Sequence, residues 1–216
     1  MKKLIPDQPG FSNFERYTKV WDKSGIFTKT PLLFYEIRIG SRDLFSIPII
    51  PDGCMDIIFI IHRNSVESWV IGTAQALVSM DSESDKQVIG VRFAPGEARN
   101  YLPGAAGQIV SQQIPLAFYF GDSDEIAAQV LEEDALAKRI ALIKNYLTRH
   151  YLFLEGKQRL IQYCVNEIIN AGGNIKIHDL AINTGYTSSY IVRLFYEFIG
   201  LLPKQFAEVV HPTTRP

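Results

Sequence analysis

The stretch Ile177–Leu194, IHDLAINTGYTSSYIVRL, decides the architecture of the C-terminal part of the chain. Ala181, Gly185 and Ile191 follow Ile177 by 4, 8 and 14 residues, with Leu180 and Leu194 as further apolar anchors. Two short helices joined by a glycine turn satisfy that spacing. Ala181 is small enough for a second helix to cross close by, and Ile191 packs that helix back onto the first. Gly185 supplies a left-handed turn that most residues resist. Thr187 is placed to cap the second helix, its hydroxyl accepting from an N–H of the first turn. Taken alone, the pattern fits either an ordinary helical hairpin or a helix-turn-helix that reads nucleic acid.

Residues further along narrow the choice. The run GYTSSYIVRLFYEFIGLLPKQFAEVV resembles the first helix-turn-helix unit of the AraC/XylS family of bacterial transcription regulators. The resemblance is carried by Gly185, Tyr186, Thr187, Tyr190, Ile191, Arg193, Leu194, Phe195, Gly200, Pro203 and Phe206. It implies double-stranded DNA as a partner. If the second helix enters a major groove, its early exposed positions face the bases. The candidates for DNA contact are Thr187, Ser188, Ser189, Val192, Arg193 and Tyr196. Arg193 is the richest, because its fork can pair with guanine or phosphate; the resemblance leaves open the alternative that an arginine at this position serves packing and salt bridging instead. Tyr186, Tyr190, Leu194, Phe195 and Phe198 are assigned to the small core. Val192 and Tyr196 stand where the family usually has polar residues. The AraC module normally carries two such units, whereas only HPTTRP follows Val210 here. A homodimer is therefore expected to supply the second unit.

Upstream, Gln158–Asn170 repeats a helical spacing through Ile161, Cys164, Val165, Ile168 and Ile169, and Gly172-Gly173 stops it. Glu155-Gly156 marks the boundary between a β-rich sensor-type unit (1–155) and the helix-turn-helix unit (156–216). Six basic residues, Lys138, Arg139, Lys144, Arg149, Lys157 and Arg159, precede the motif with only Glu155 among them. That stripe suits either phosphate contacts or a solvated helix face. Ala135–Tyr151 reads as a helix, with Leu136, Ile140, Ile143 and Leu147 on one face and Asp134 as its cap. Asp124–Leu131 is also helical, Glu97–Leu102 forms a short helix, and 104–121 stays unassigned.

From Pro31 to Phe93 the texture is β. Strands are expected at Leu32–Ile39, Leu44–Ile50, Met55–His62, Val66–Gly72, Gln75–Met80 and Lys86–Phe93, with an acidic loop at Asp81–Asp85. Pro48 moves its strand towards an edge, and the apolar run from Met55 marks a strand buried on both faces. A small antiparallel barrel or sandwich follows, giving an α+β fold overall; residues 1–30 read as an irregular lead-in.

PDGCMDIIF and, further on, GVRFAPGEARNYL resemble the N-terminal sensor-type domain of a poorly characterised group of AraC-like regulators. Pro51, Asp52, Gly53, Asp56, Gly90, Arg92, Phe93, Pro95 and Gly96 carry that resemblance. Asp52, Asp56 and Arg92 admit two roles. They bind an anionic effector in a barrel mouth, or they form an internal ion pair and turn.

Composition sets the remaining bounds. The chain has 216 residues, 47% hydrophobic and 21% charged, which reads as soluble and globular. The formal net charge is −1. Lys157, Arg159, Lys176, Arg193, Lys204 and Arg215 against Glu167, Asp179, Glu197 and Glu208 leave the C-terminal unit at +2. Cys54 and Cys164 lie in different units and read as buried hydrophobes of a reducing compartment. No signal peptide or membrane span is apparent, so a cytoplasmic protein is expected. His62, His150, His178 and His211 are scattered, and neither a metal set nor a nucleophilic triad stands out. No enzyme activity, cofactor or metal is expected. The sequence thus points to an AraC-type transcription regulator, dimeric and answering to a small-molecule effector. The alternative is a ligand- or partner-binding form that does not bind DNA.

Overall fold

The computed structural model describes residues 8, 10–11, 14, 16–22, 31–40, 46–76, 78–81 and 86–211. Among them, eight strands precede six α-helices: β1 (Arg16–Asp22), β2 (Leu32–Ile39), β3 (Ser46–Ile49), β4 (Met55–Ile61), β5 (Val66–Ile71), β6 (Val78–Asp81), β7 (Lys86–Phe93), β8 (Gln113–Pro115), α1 (Ser123–Glu132), α2 (Leu136–Arg149), α3 (Glu155–Asn170), α4 (Ile177–Thr184), α5 (Ser188–Phe198) and α6 (Pro203–Val210). The α+β class is as the sequence predicts. Of the acidic loop, residues 82–85 lie outside the described residues, as do 212–216.

The main sheet has the order β1-β2-β7-β4-β5-β8, with antiparallel pairing throughout. It corrects the expected barrel or sandwich. The sheet is open, with β1 and β8 at its edges, while β3 and β6 pair with each other in a separate two-stranded ribbon. Closure is not needed to bury this sheet, because other elements cover both faces. Phe34, Ile57, Phe59, Ile89, Val91 and Phe93 pack with Ile126 and Val130 of α1 and Ile143 and Leu147 of α2. Tyr35, Ile37, Ile58 and Val88 pack on the opposite side with Phe11 and Phe14. Central strands covered on both faces lose the apolar–polar alternation of a half-exposed strand, which explains the unbroken apolar run of β4. The lead-in also needs correction: its Arg16–Asp22 pairs along all of β2. Its residues are largely exposed, so no apolar period announced it.

In the helical unit α3 supplies Ile161, Cys164, Val165 and Ile168, α4 Leu180, α5 Ile191, Leu194, Phe195 and Phe198, and α6 Phe206 to one core. Burial holds Cys164 as a thiol, with its pKa pushed up to about 11. One sequence expectation about charge fails. Asp134 does not cap α2, whose Ncap is Ala135; instead Glu133 Oε1 accepts the Ala135 N–H at 2.9 Å. In the basic stripe Lys138, Arg149, Lys157 and Arg159 are exposed, and four of its six residues meet a carboxylate. Lys138 pairs with Glu133 at 3.3 Å, buried Arg139 with Glu36 at 3.8 Å, Lys144 with Asp22 at 2.8 Å and Lys157 with Glu197 at 3.0 Å.

The two units pack on one another. The Phe206 ring of α6 lies on Gly53, where an added methyl would stand 2.7 Å from Cε2. Ile161 and Ile199 approach the position of a Gly96 methyl to 3.5 and 3.8 Å. Buried Thr73 donates its hydroxyl to the Ile199 carbonyl at 2.7 Å.

Candidate nucleic-acid interface

The turn between α4 and α5 is built as its sequence requires. Gly185 takes φ +71° and donates its N–H to the Ala181 carbonyl at 3.0 Å, ending α4 in the left-handed conformation. Thr187 has extended backbone, and its Oγ1 accepts the Tyr190 N–H at 3.2 Å. This satisfies one of the first-turn donors that a helix leaves open. Ile191, Leu194, Phe195 and Phe198 turn inward and fix the rotation of α5 about its axis. The outward side then follows from helical geometry: Ser189, Val192, Arg193 and Tyr196, at i, i+3, i+4 and i+7, form one stripe.

The stripe is not uniform. Thr187, Ser189 and Arg193 are exposed, and Ser188 and Val192 are half-buried. Val192 borders an open groove of about 730 Å³ that Ile177 and Leu180 also line. Arg193 lies over the Tyr190 ring, 5.1 Å from its centroid, and Tyr190 stacks on Tyr186 at 5.2 Å and 18°. The guanidinium therefore has a π face to rest on, and long helical side chains lean towards the N-terminus. Tyr186 does not join the core as the sequence predicts; it is 49% exposed, and its contact is this stack. Tyr196 is 44% exposed and also meets the N-terminal unit. Its ring lies against Gly107 in the 3-10 turn Ala106–Gln108, so closely that a methyl there would stand 2.2 Å from Cε2. The last turn of the stripe faces the N-terminal unit.

Asp52, Asp56 and Arg92 come together as the sequence suggests, in the form of an internal ion pair. Asp56 and Arg92 are cross-strand partners on β4 and β7. Arg92 Nη1 meets Asp56 Oδ2 at 2.5 Å, and Nη2 meets Asp52 Oδ2. Tyr35 crosses Gly90, its own cross-strand partner, and donates its hydroxyl to Asp56 Oδ1 at 3.2 Å. Asp52 Oδ1 accepts the Cys54 N–H at 2.9 Å, and Gln8 Nε2 adds a bond to Asp52 Oδ2 at 3.0 Å. With one cation against two carboxylates, and Asp56 and Arg92 almost without solvent, burial pushes the Asp56 carboxyl up against the pull of Arg92. Burial likewise raises the Tyr35 phenol and the Cys54 thiol, keeping both protonated. Both terminal nitrogens of Arg92 are engaged inside the fold. The cluster holds the turn Asp52–Cys54, on which Phe206 sits.

Gly107, Thr73 and Gln8 carry no local signal, because their partners lie far along the chain. The Tyr190–Arg193 pair is readable in hindsight from its i, i+3 spacing. Among the described residues no group of three or more His, Cys, Asp and Glu could hold a metal ion, and no helix is long and apolar enough to cross a membrane.

Comparison with known proteins gives one family match. Residues 33–115 match a domain of unknown function, DUF6597. The matched region runs from β2 through β8 and contains Gly53, the Asp52–Asp56–Arg92 cluster, Gly96 and Gly107. No curated protein and no solved structure gives a significant match.

Proposed function

We propose that the chain is a sequence-specific DNA-binding transcription regulator of the AraC type, in which the N-terminal unit governs a helix-turn-helix. One observation carries this reading: α5 projects Ser189, Val192 and Arg193 outward from a turn that Gly185 and Thr187 fix. A helix of about 10–12 Å diameter suits a major groove about 12 Å wide. In such a groove the Arg193 fork pairs with guanine, the Ser188 and Ser189 hydroxyls donate to phosphate or base edges, and Val192 touches a thymine methyl. A homodimer would place two such units on half-sites about 34–36 Å apart. A small-molecule effector acting on the N-terminal unit would shift the spacing that the two copies reach.

A second reading, a ligand- or partner-binding protein that leaves DNA alone, draws on the seating of Tyr196 against Gly107. A gel-shift series over salt separates the two. Phosphate-driven binding weakens steeply between about 50 and 200 mM salt. Arg193→Ala is expected to lose discrimination between duplexes while its melting stays that of wild type. Retention that ignores salt, or an Arg193→Ala protein that discriminates as well as wild type, removes the DNA reading.

A further inference from the structure

The contact between Tyr196 and Gly107 belongs to a set in which glycines face bulky groups across the boundary between the two units. On the N-terminal side Gly107 receives the Tyr196 ring, and Gly53 receives Phe206. On the helical side Gly200, just beyond α5, faces back: a methyl there would stand 2.8 Å from Val110 Cγ2 and 3.1 Å from the Ala106 carbonyl oxygen. Thr73 fastens the same end of α5 through its hydrogen bond to the Ile199 carbonyl. The segment Ala106–Val110 therefore lies along the C-terminal turn of the helix whose first turns carry Ser189 and Arg193. The seats on the N-terminal unit all fall within residues 33–115.

A helix lying in a major groove nearly fills it, since the two have almost the same width. A further chain segment packed on the outward stripe at Tyr196 cannot remain there when α5 lies in the groove along its length. We infer that the domain spanning residues 33–115 is a binding surface for the helix-turn-helix unit of its own chain, and that DNA must displace Ala106–Val110 from the end of α5 to be bound in full. This inference rests on the DNA-binding reading and gives the domain a function: it holds α5 in a restrained, docked position. The buried Asp52–Arg92–Asp56 cluster serves the same surface by fixing the turn under Phe206. By reciprocity, whatever loosens the seat strengthens DNA binding, and DNA loosens the seat.

Gly107→Ala tests this in the full chain. Gly107 sits in a 3-10 turn with a backbone that alanine adopts, and the new methyl pushes out a ring that is already 44% exposed. Thr73→Val loosens the same helix end from another side by removing the hydroxyl that Ile199 accepts. Duplexes enriched from a random pool serve as the probe, and amide exchange is followed across 105–111 in the wild type with and without duplex. The expected result is binding at least about 5-fold tighter in both variants than in wild type at equal salt, the lower end of ordinary allosteric coupling. Exchange at 105–111 should also quicken when duplex is added to wild type. Equal affinities, with 105–111 protected on DNA, overturn the restraint and leave DNA binding standing. If none of the three proteins retains duplex at low salt, the DNA-binding reading fails and the restraint falls with it.

Discussion

Arg92 is locked between two carboxylates in a site almost closed to water, and its worth to the fold is best judged by what its loss leaves behind. Removing one partner of a buried pair strands the other, at a cost of about 3–5 kcal/mol. Arg92→Leu should therefore melt well below wild type near neutral pH. The sign of its pH dependence follows from Asp56, whose carboxyl is raised already in the wild type by burial. A raised carboxyl contributes full stability below its unfolded pKa of about 3.9 and loses it as pH rises through the folded value. The deficit of Arg92→Leu should accordingly shrink as pH is lowered towards 4; a deficit constant with pH would mean that Asp56 is not the stranded charge. The Tyr190 ring under Arg193 gives a second residue-scale prediction. Tyr190→Phe keeps the π face and should preserve the base preference of the protein. Tyr190→Leu should weaken that preference while leaving the salt slope of binding unchanged. Matching preferences in the two variants would deny the ring its role in aiming Arg193.

At the scale of elements, α5 owes its start to Thr187. Loss of such a cap costs about 1 kcal/mol, so Thr187→Ala should lower the melting temperature by about 2–4 °C. An unchanged melt would mean the bond to the Tyr190 N–H contributes nothing. The start of α1, set against the end of α2, adds a titration. Burial alone would raise Asp122, but the Tyr146 hydroxyl at 3.1 Å and His150 at 3.2 Å outweigh it and hold the carboxyl below the usual range. A lowered carboxyl stabilises above its unfolded pKa and ceases to do so as pH falls through the folded value. Asp122→Asn should thus melt below wild type at pH 6 to 7, with the gap closing below about pH 4. A gap that persists in acid contradicts that origin. These elements also separate what was legible from what was not. β2 and β7 fall at their expected ends, because apolar runs bounded by turns are a local signal, and Gly185 and Thr187 act where their backbone chemistry places them. β1 was unreadable, since an exposed edge strand has no buried face to impose a period. That the sheet stays open has no local signal, because the cover over its faces comes from Phe11, Phe14, α1 and α2, distant in sequence. The ion-pair cluster was readable as a set of residues, but its buried geometry depends on Tyr35 and Gln8, which no spacing links to it.

Across the whole molecule, the N-terminal unit and the helix-turn-helix meet through glycine seats, a threonine hydroxyl and the turn that Arg92 secures. Lys138, Arg139, Lys144 and Lys157 each pair with a carboxylate of the chain itself. On the proposed reading, dimerisation would raise the affinity for DNA by joining two binding units. The most direct test of the central claim is selection of the full chain on a random duplex pool, with its mass in solution measured alone and with the enriched duplex. A dimer that enriches a direct or inverted repeat with half-sites about 10 base pairs apart, or a multiple of that, is the predicted result. A monomer that enriches no sequence would contradict it.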